Sequence, residues 1–295
     1  MLGQTLFTLG ELAEARQHLE TAISLYDRDF PPAFGYLTDG GVVALSYSSW
    51  TLWYLGYPDL GLKRARESVA LARALSHPFS LAFAEYFLGF LYQRRDEPAP
   101  AEGTGDELLT HSLEHGLTDW LAWATILRGW AIARLGRSAE GIERIKEGLA
   151  ASGLAGAALN LPYFLTLLAE ALSQANRVDE ALNALKDALL TAERNEDRHY
   201  ESGIYRLRGE LLLRRDGPNS AEARQSLNCA VAIARKQGAR SLELRATTSL
   251  VRLLVKQGRR DEAHAMLAKI YNWFTEGFDT ADLREARALL QELEK

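Results

Sequence analysis

The chain has 295 residues, of which 47% are hydrophobic and 25% are charged, a composition that excludes a disordered protein. A formal net charge of −5 argues against a general nucleic-acid-binding protein, which would carry a strongly basic face. The N-terminal residues do not resemble a signal peptide, no apolar run is long enough to cross a membrane, and the single cysteine, Cys229, excludes an intrachain disulfide. We therefore expect a cytoplasmic protein that contacts neither membrane nor nucleic acid directly.

A repeated pattern of small residues organises the whole chain. A small residue, here called the marker, is followed at +4 and +7 by further small or apolar residues, and the pattern recurs at intervals of 40 to 46 residues. The markers are Ala15, Gly61, Ala101, Gly141, Ala181, Ala223 and Ala263. Positions i, i+4 and i+7 share one helix face, and a repeat of this length is typical of a solenoid.

Five residues before each marker stands a residue that favours the end of a helix. These positions hold Gly10, Gly56, Asp96, Gly136, Asn176, Pro218 and Gly258. Gly and Asn adopt the left-handed conformation most easily, and Pro ends a helix by removing a backbone donor. Each unit is therefore predicted to contain a helix A, a tight turn and a helix B that carries the marker.

In chain order, the pattern predicts one all-α domain over 1–295, an α-solenoid of about seven antiparallel helix pairs. The repeats fall around 1–30, 42–76, 79–115, 119–153, 159–195, 199–238 and 241–274, and a capping helix follows at 280–294. The first helix A is predicted to span only residues 2–9 and is shorter than those of the other repeats. We therefore expect that the chain was cut from a longer protein. In the capping helix, one apolar stripe is formed by Leu283, Ala286, Leu290 and Leu293.

Several segments resemble known repeat families. Leu168-Ala-Glu-Ala-Leu-Ser-Gln-Ala-Asn-Arg-Val-Asp-Glu-Ala-Leu182 is similar to tetratricopeptide (TPR) repeats, in the long-helix variety of maltose-regulator-type (MalT-like) activators. More narrowly, Trp273-Phe-Thr-Glu-Gly-Phe-Asp-Thr-Ala-Asp-Leu283 resembles the C-terminal repeat region of large bacterial AAA or STAND-type ATPases fused to adenylate or guanylate cyclase or LuxR-type domains. The resemblance implies a right-handed α-solenoid that serves as a regulatory arm, whose effector domains lie outside these residues.

Motifs that would indicate catalysis are absent from the sequence. It contains no GxxxxGK[ST] phosphate loop, no HExxH zinc motif and no GxSxG nucleophile elbow. His111 and His115 are four residues apart and share a predicted helix face, but two ligands without a third predict solvated surface histidines. We therefore expect no enzyme activity, no cofactor and no metal.

The candidate binding site is the concave groove that TPR geometry, taken from the resemblance, assigns to the exposed face of each helix A. Its first half is predicted to be aromatic and its second half charged. The residues mapped to it are Trp50, Trp53, Tyr54, Phe83, Tyr86, Phe90, Trp123, Trp130, Tyr163, Glu170, Arg206, Glu210, Arg214 and Arg252. Aromatic rings with separated charges suit an extended peptide or a flat polar ligand, although long helices could instead bury many of the rings in the core.

Three functions follow from this interpretation. The leading one is a non-enzymatic scaffold or sensor arm that binds a protein, peptide or small ligand in the groove and regulates an attached or associated signalling ATPase or cyclase. The second is a standalone adaptor or oligomerisation module that self-associates through the open N-terminal repeat. The third is a sensor of a small, sugar-like molecule.

Overall fold

A computed structural model describes residues 2–28, 37–154 and 160–295, with the side chains of residues 153 and 154 left aside. These residues form fifteen helices and no strand. The helices are α1 Leu2–Leu9, α2 Leu12–Leu25, α3 Gly40–Tyr54, α4 Pro58–Leu75, α5 Pro78–Arg94, α6 Pro98–His115, α7 Thr118–Arg134, α8 Ser138–Leu154, α9 Leu161–Gln174, α10 Val178–Asn195, α11 Glu201–Asp216, α12 Ala221–Lys236, α13 Arg240–Lys256, α14 Arg260–Tyr271 and α15 Ala281–Leu293. The predicted all-α solenoid is confirmed: helices α1 to α14 form seven consecutive pairs, and α15 follows them.

The turns between paired helices have the backbone conformation that the sequence predicts. Positive φ angles occur at Gly10, Gly56, Asp96, Gly136, Asn176 and Gly258. In the sixth pair the positive φ falls on Gly217, directly before Pro218. Each of these residues ends the first helix of its pair and reverses the chain, so that the second helix packs back along the first.

All seven marker residues are buried where the two helices of a pair meet. At the crossing of α7 and α8, a Cβ added to Gly141 would lie 2.4 Å from the carbonyl oxygen of Gly129 and 2.7 Å from the amide nitrogen of Ala133. Those atoms belong to the backbone and cannot rotate away. A small marker is therefore a steric requirement of the close approach of the two helix axes.

The first helices of the second to seventh pairs (α3, α5, α7, α9, α11 and α13) are here called the inner helices, and they carry most of the core. One core cluster runs from Phe7 to Leu242 and is rich in aromatic residues, and a second runs from Leu227 to Leu293 and is mainly aliphatic. The predicted stripe of α15 is buried in the second cluster. This helix therefore covers the apolar face that the seventh pair would otherwise expose.

The two ends of the solenoid touch across its inner face. The Arg198 amide donates to the Thr8 carbonyl oxygen at 2.9 Å, and the Ser241 hydroxyl donates to the Trp53 carbonyl oxygen at 2.5 Å. Glu276, beyond the seventh pair, accepts hydrogen bonds from two backbone amides at the N-terminus of α4. The superhelix is thus wound tightly enough for early and late repeats to pack against each other.

Among the described residues, no helix is both long and apolar enough to cross a membrane.

Candidate functional site

A polar cavity of about 250 Å³ remains open on the inner side of the solenoid, toward its C-terminal half. Side chains from α5, α7, α9, α11, α13 and α15, or from the turns that follow them, line it. The lining residues are Gln93, Asp96, Trp130, Arg134, Glu170, Ser173, Gln174, Arg206, Leu207, Glu210, Leu244, Arg245, Thr248, Ser249, Arg252, Asp282 and Glu285. We call this the inner cavity.

Charged pairs dominate the inner cavity. Arg206 lies between two carboxylates, with its Nη1 2.9 Å from Glu210 Oε1 and its Nη2 3.8 Å from Glu170 Oε1. Glu170 also accepts a hydrogen bond of 3.0 Å from the indole nitrogen of Trp130. Burial raises the pKa of the Glu170 carboxyl, and the Arg206 guanidinium opposes that rise. The Nε of Arg206 is buried without a hydrogen-bond partner.

The remaining cavity arginines are also paired. Arg245 Nε donates to both carboxylate oxygens of Asp282, at 2.9 and 2.8 Å. Arg252 pairs with Glu285, and Arg134 pairs with Asp96. The cavity thus holds four arginines against five carboxylates, which leaves one formal negative charge. Such a wall offers both anionic acceptors and guanidinium donors to a ligand that carries both kinds of charge.

Five of the residues mapped to the groove do line the inner cavity: Trp130, Glu170, Arg206, Glu210 and Arg252. Arg214 does not. It is exposed and donates instead to the carbonyl oxygen and hydroxyl of Ser173. The charged half of the predicted groove is therefore brought together around a cavity, apart from this one arginine.

The prediction that the aromatic side chains of the groove are exposed was wrong. The structure leaves Phe83 partly buried and buries the other aromatic residues assigned to the groove, namely Trp50, Trp53, Tyr54, Tyr86, Phe90, Trp123, Trp130 and Tyr163. They pack on one another: the Tyr86 and Phe90 ring centroids, for example, are 4.8 Å apart. The rings fill the inner side because the tightly wound superhelix brings the inner helices and the segment around His199 together.

Sequence reasoning missed several residues of the inner cavity. Arg134 lies four residues after Trp130, and Arg245 lies seven residues before Arg252, so each shares a helix face with a residue that was identified. This helical spacing could have identified both arginines from the sequence. By contrast, Asp282 and Glu285 belong to α15, whose position over the inner side no local pattern reveals.

Buried among the aromatic rings lies one unexpected cation, Arg94. Its side chain is fully buried, with the guanidinium carbon 3.8 Å from the centroid of the Trp50 ring and 4.3 Å from that of Tyr163. Nη1 donates to the Phe90 carbonyl oxygen at 3.1 Å, while Nε and Nη2 have no hydrogen-bond partner. The π faces of the rings therefore provide much of the electrostatic compensation for this charge.

The fold and the repeat pattern are those of a TPR-like α-solenoid, and comparisons with known proteins agree with this fold. A family model described as a tetratricopeptide repeat matches residues 1–28. The chain is also 24% identical over 257 residues to an uncharacterised protein of Rhizobium meliloti (strain 1021). The match covers 86% of this chain and 25% of that protein, so the chain spans about a quarter of the length of the curated relative it matches.

Several solved structures have the same fold at low sequence identity. The Rap conjugation gene regulator of plasmid pLS20, in complex with a Phr peptide, has a TM-score of 0.66 at 12% identity, over 99% of this chain and 72% of that one. A Rap protein complexed with competence and sporulation factor has a TM-score of 0.63 at 15% identity, over 99% and 78%. The apo form of RapI has a TM-score of 0.57 at 13% identity, over 98% and 96%.

Proposed function

We propose that this chain is a non-enzymatic scaffold. In its inner cavity it binds a short stretch of a peptide or protein that carries both an acidic and a basic group. The observation that carries the proposal is the wall of alternating arginines and carboxylates that six helices build around one open space. The similar structure of the pLS20 Rap regulator in complex with a Phr peptide supports a peptide as the partner. Regulation of an attached or associated signalling ATPase or cyclase belongs to the same proposal.

The size and chemistry of the cavity limit what it can accept. Its volume of about 250 Å³ is below the roughly 300–1,000 Å³ of drug-sized sites, so it takes a few groups of a partner and not a whole peptide. Arginines bind carboxylates through paired donors, and the cavity carboxylates accept from ammonium or guanidinium groups. A segment with one acidic and one basic group would replace an existing ion pair, for example that of Arg252 and Glu285. Its acidic group would pair with the arginine and its basic group with the glutamate.

Binding at this place would affect the shape of the whole solenoid. The cavity lies between inner helices of five successive pairs and the final helix, so a ligand there contacts elements whose spacing sets the curvature. A ligand that fits one curvature better than another shifts the population toward it. That shift is how an arm without catalytic residues would regulate a neighbouring domain.

A peptide selection tests the proposal. A displayed library of random short peptides is panned against the chain, and the affinities of the selected peptides are measured by calorimetry for wild type, Glu210→Gln and Arg252→Gln. We expect selected peptides to carry both charges and each variant to bind about tenfold more weakly, equivalent to about 1.4 kcal/mol. Arg144→Ala is the matched control, because Arg144 is an exposed arginine of outer helix α8 that is paired with Glu147.

Two results would contradict the proposal. One is a selection that enriches no peptide over an unrelated helical protein. The other is that Arg144→Ala weakens the binding of the selected peptides as much as the two cavity variants do. Binding would then depend on the general surface charge.

A further inference from the structure

A second cleft lies away from the inner cavity, between α4, α5 and α6. It is open, has a volume of about 430 Å³, and is lined mainly by polar and charged side chains. Three of its carboxylates come from α6 and one, Glu85, from α5. We call this the α6 cleft.

The last turns of α6 present three ligand-type side chains together. The segment His111-Ser-Leu-Glu-His115 places His111, Glu114 and His115 on one helix face, because residues three and four apart are neighbours on a helix. One ligand atom of each lies within 4.8 Å of those of the other two. The structure thus provides the third ligand that the spacing of the two histidines alone had not identified.

A hydrogen bond to the backbone holds the His111 ring and leaves its other nitrogen for a ligand. Its Nε2 lies 2.8 Å from the carbonyl oxygen of Pro78. Since a carbonyl oxygen only accepts, Nε2 carries the hydrogen, and Nδ1 keeps its lone pair. An imidazole whose second nitrogen donates to a backbone carbonyl is the usual arrangement of a metal-binding histidine.

Glu85 is an independent indication that the α6 cleft accepts a cation. Its side chain is 3% exposed, it lines the cleft together with His111 and Glu114, and its Oε2 is buried without a hydrogen-bond partner. A buried carboxylate oxygen without a partner is costly unless a donor or cation compensates it. Asp106 and Glu107, by contrast, are already paired with Arg128 and Arg73.

We propose that His111, Glu114 and His115 form a binding site for a divalent transition metal such as Zn²⁺, and that the unpartnered Glu85 carboxylate favours the cation from the same cleft. Two imidazoles and one carboxylate are a donor set that Zn²⁺ prefers, and three protein ligands leave one position for water or a partner's side chain. Ligand atoms around tetrahedral Zn²⁺ lie about 3.4 Å apart, as follows from bonds of about 2.0–2.1 Å. Because Glu114 and His115 are exposed, rotation of their side chains closes the remaining distance.

Calorimetric titration of the tag-free chain with ZnCl₂ tests this site. We expect one ion per chain, and affinities at least about tenfold lower for His115→Ala and for His111→Ala, since each removes a ligand. Co²⁺ added to the same chain should give the visible absorption of a low-symmetry, nitrogen-ligated ion. His18→Ala is the matched control, because His18 is an exposed helical histidine outside the cluster.

Glu85→Gln keeps the shape of the side chain and removes its ionisable carboxyl group, and we expect it to lower the affinity for Zn²⁺ about tenfold. MgCl₂ and CaCl₂ should give no binding heat, because both ions prefer all-oxygen sites. The proposal is overturned if His115→Ala and His18→Ala bind Zn²⁺ alike, or if Mg²⁺ binds as well as Zn²⁺. Neither result bears on peptide binding in the inner cavity, which involves none of these residues.

Discussion

At the scale of single residues, Arg94 shows how this core compensates a buried charge. Its guanidinium lies between the Trp50 and Tyr163 rings, and the Tyr54 ring centroid is 5.7 Å away. Arginine suits such a position because its planar, weakly hydrated head stacks on aromatic faces. The same side chain also fills a large volume among rings that would otherwise leave a void. The charge and the volume of Arg94 therefore both contribute to stability, and substitutions that change only one of them can separate the two contributions.

We predict that Arg94→Ala lowers the free energy of unfolding by about 3 kcal/mol, because it leaves a cavity and removes the cation–π contacts. Arg94→Met should stay within about 1.5 kcal/mol of wild type, since methionine restores most of the volume without a charge to desolvate. Urea unfolding followed by tryptophan fluorescence measures both values. If Arg94→Met were as damaging as Arg94→Ala, the positive charge and not the volume would be what stabilises the rings.

At the scale of helices, glycine has opposite effects at two places in the solenoid. Gly141 lies at the α7–α8 crossing, where an added Cβ would meet the backbone of Gly129 and Ala133. Gly103 lies on the exposed side of α6, where nothing stands within 4 Å of an added Cβ. Although glycine weakens a helix interior, the structure has α6 helical from Pro98 onward. Position within the packing, and not residue type, decides what each glycine does.

Gly141→Ala is therefore predicted to destabilise the protein by about 1–3 kcal/mol, because α7 and α8 must move apart. Gly103→Ala should stabilise it by up to about 1 kcal/mol, the difference in helix propensity between the two residues. The two variants add the same methyl group to a helix interior, so each serves as control for the other in thermal and urea unfolding. A stabilising Gly141→Ala would show that the helix crossing is looser than the structure has it.

At the scale of the whole molecule, contacts between distant repeats distinguish this chain from an open solenoid. Glu276 Oε1 accepts from the amides of Asp59 and Leu60 at 2.8 and 3.0 Å, and so caps α4, whose own preceding residue, Tyr57, gives no side-chain cap. Asp59 Oδ2 in turn accepts from the Gly277 amide at 2.9 Å. In an open solenoid each repeat contacts only its neighbours. Here the segment that follows the seventh pair also stabilises the second pair.

Glu276→Ala is expected to lower the free energy of unfolding by about 1 kcal/mol, the usual cost of a lost helix N-cap. Unfolding should remain a single transition, because the Ser241 to Trp53 hydrogen bond still joins the two ends. Urea titration monitored by circular dichroism and by fluorescence checks both points. Glu262→Ala is the control, since Glu262 forms only an exposed pair with Arg259 and its loss should change stability little. An unchanged stability of Glu276→Ala would mean that the distant contact is too weak to matter.

The parts of this molecule that could be predicted are those that depend on neighbours in sequence. The marker residues and the turn at Asn176 were predictable because helix faces and left-handed turns involve residues fewer than ten positions apart. Glu170, Arg206 and Glu210 could be assigned to one surface for the same reason, since each follows the register of its own helix. The position of Glu114 beside the two histidines also depends only on residues close in sequence, and it could have been predicted in the same way.

The sequence by itself determined the repeat, the paired helices and the polar face of the later inner helices, because each of these follows from periodicity within one unit. Only the tertiary structure decided that Trp50 and Tyr86 belong to the core, that Glu276 caps α4, and that Asp282 closes the inner cavity. The physical reason is curvature. Small rotations between successive pairs add up over seven repeats, and their sum sets which distant residues meet and how much of the inner face stays open.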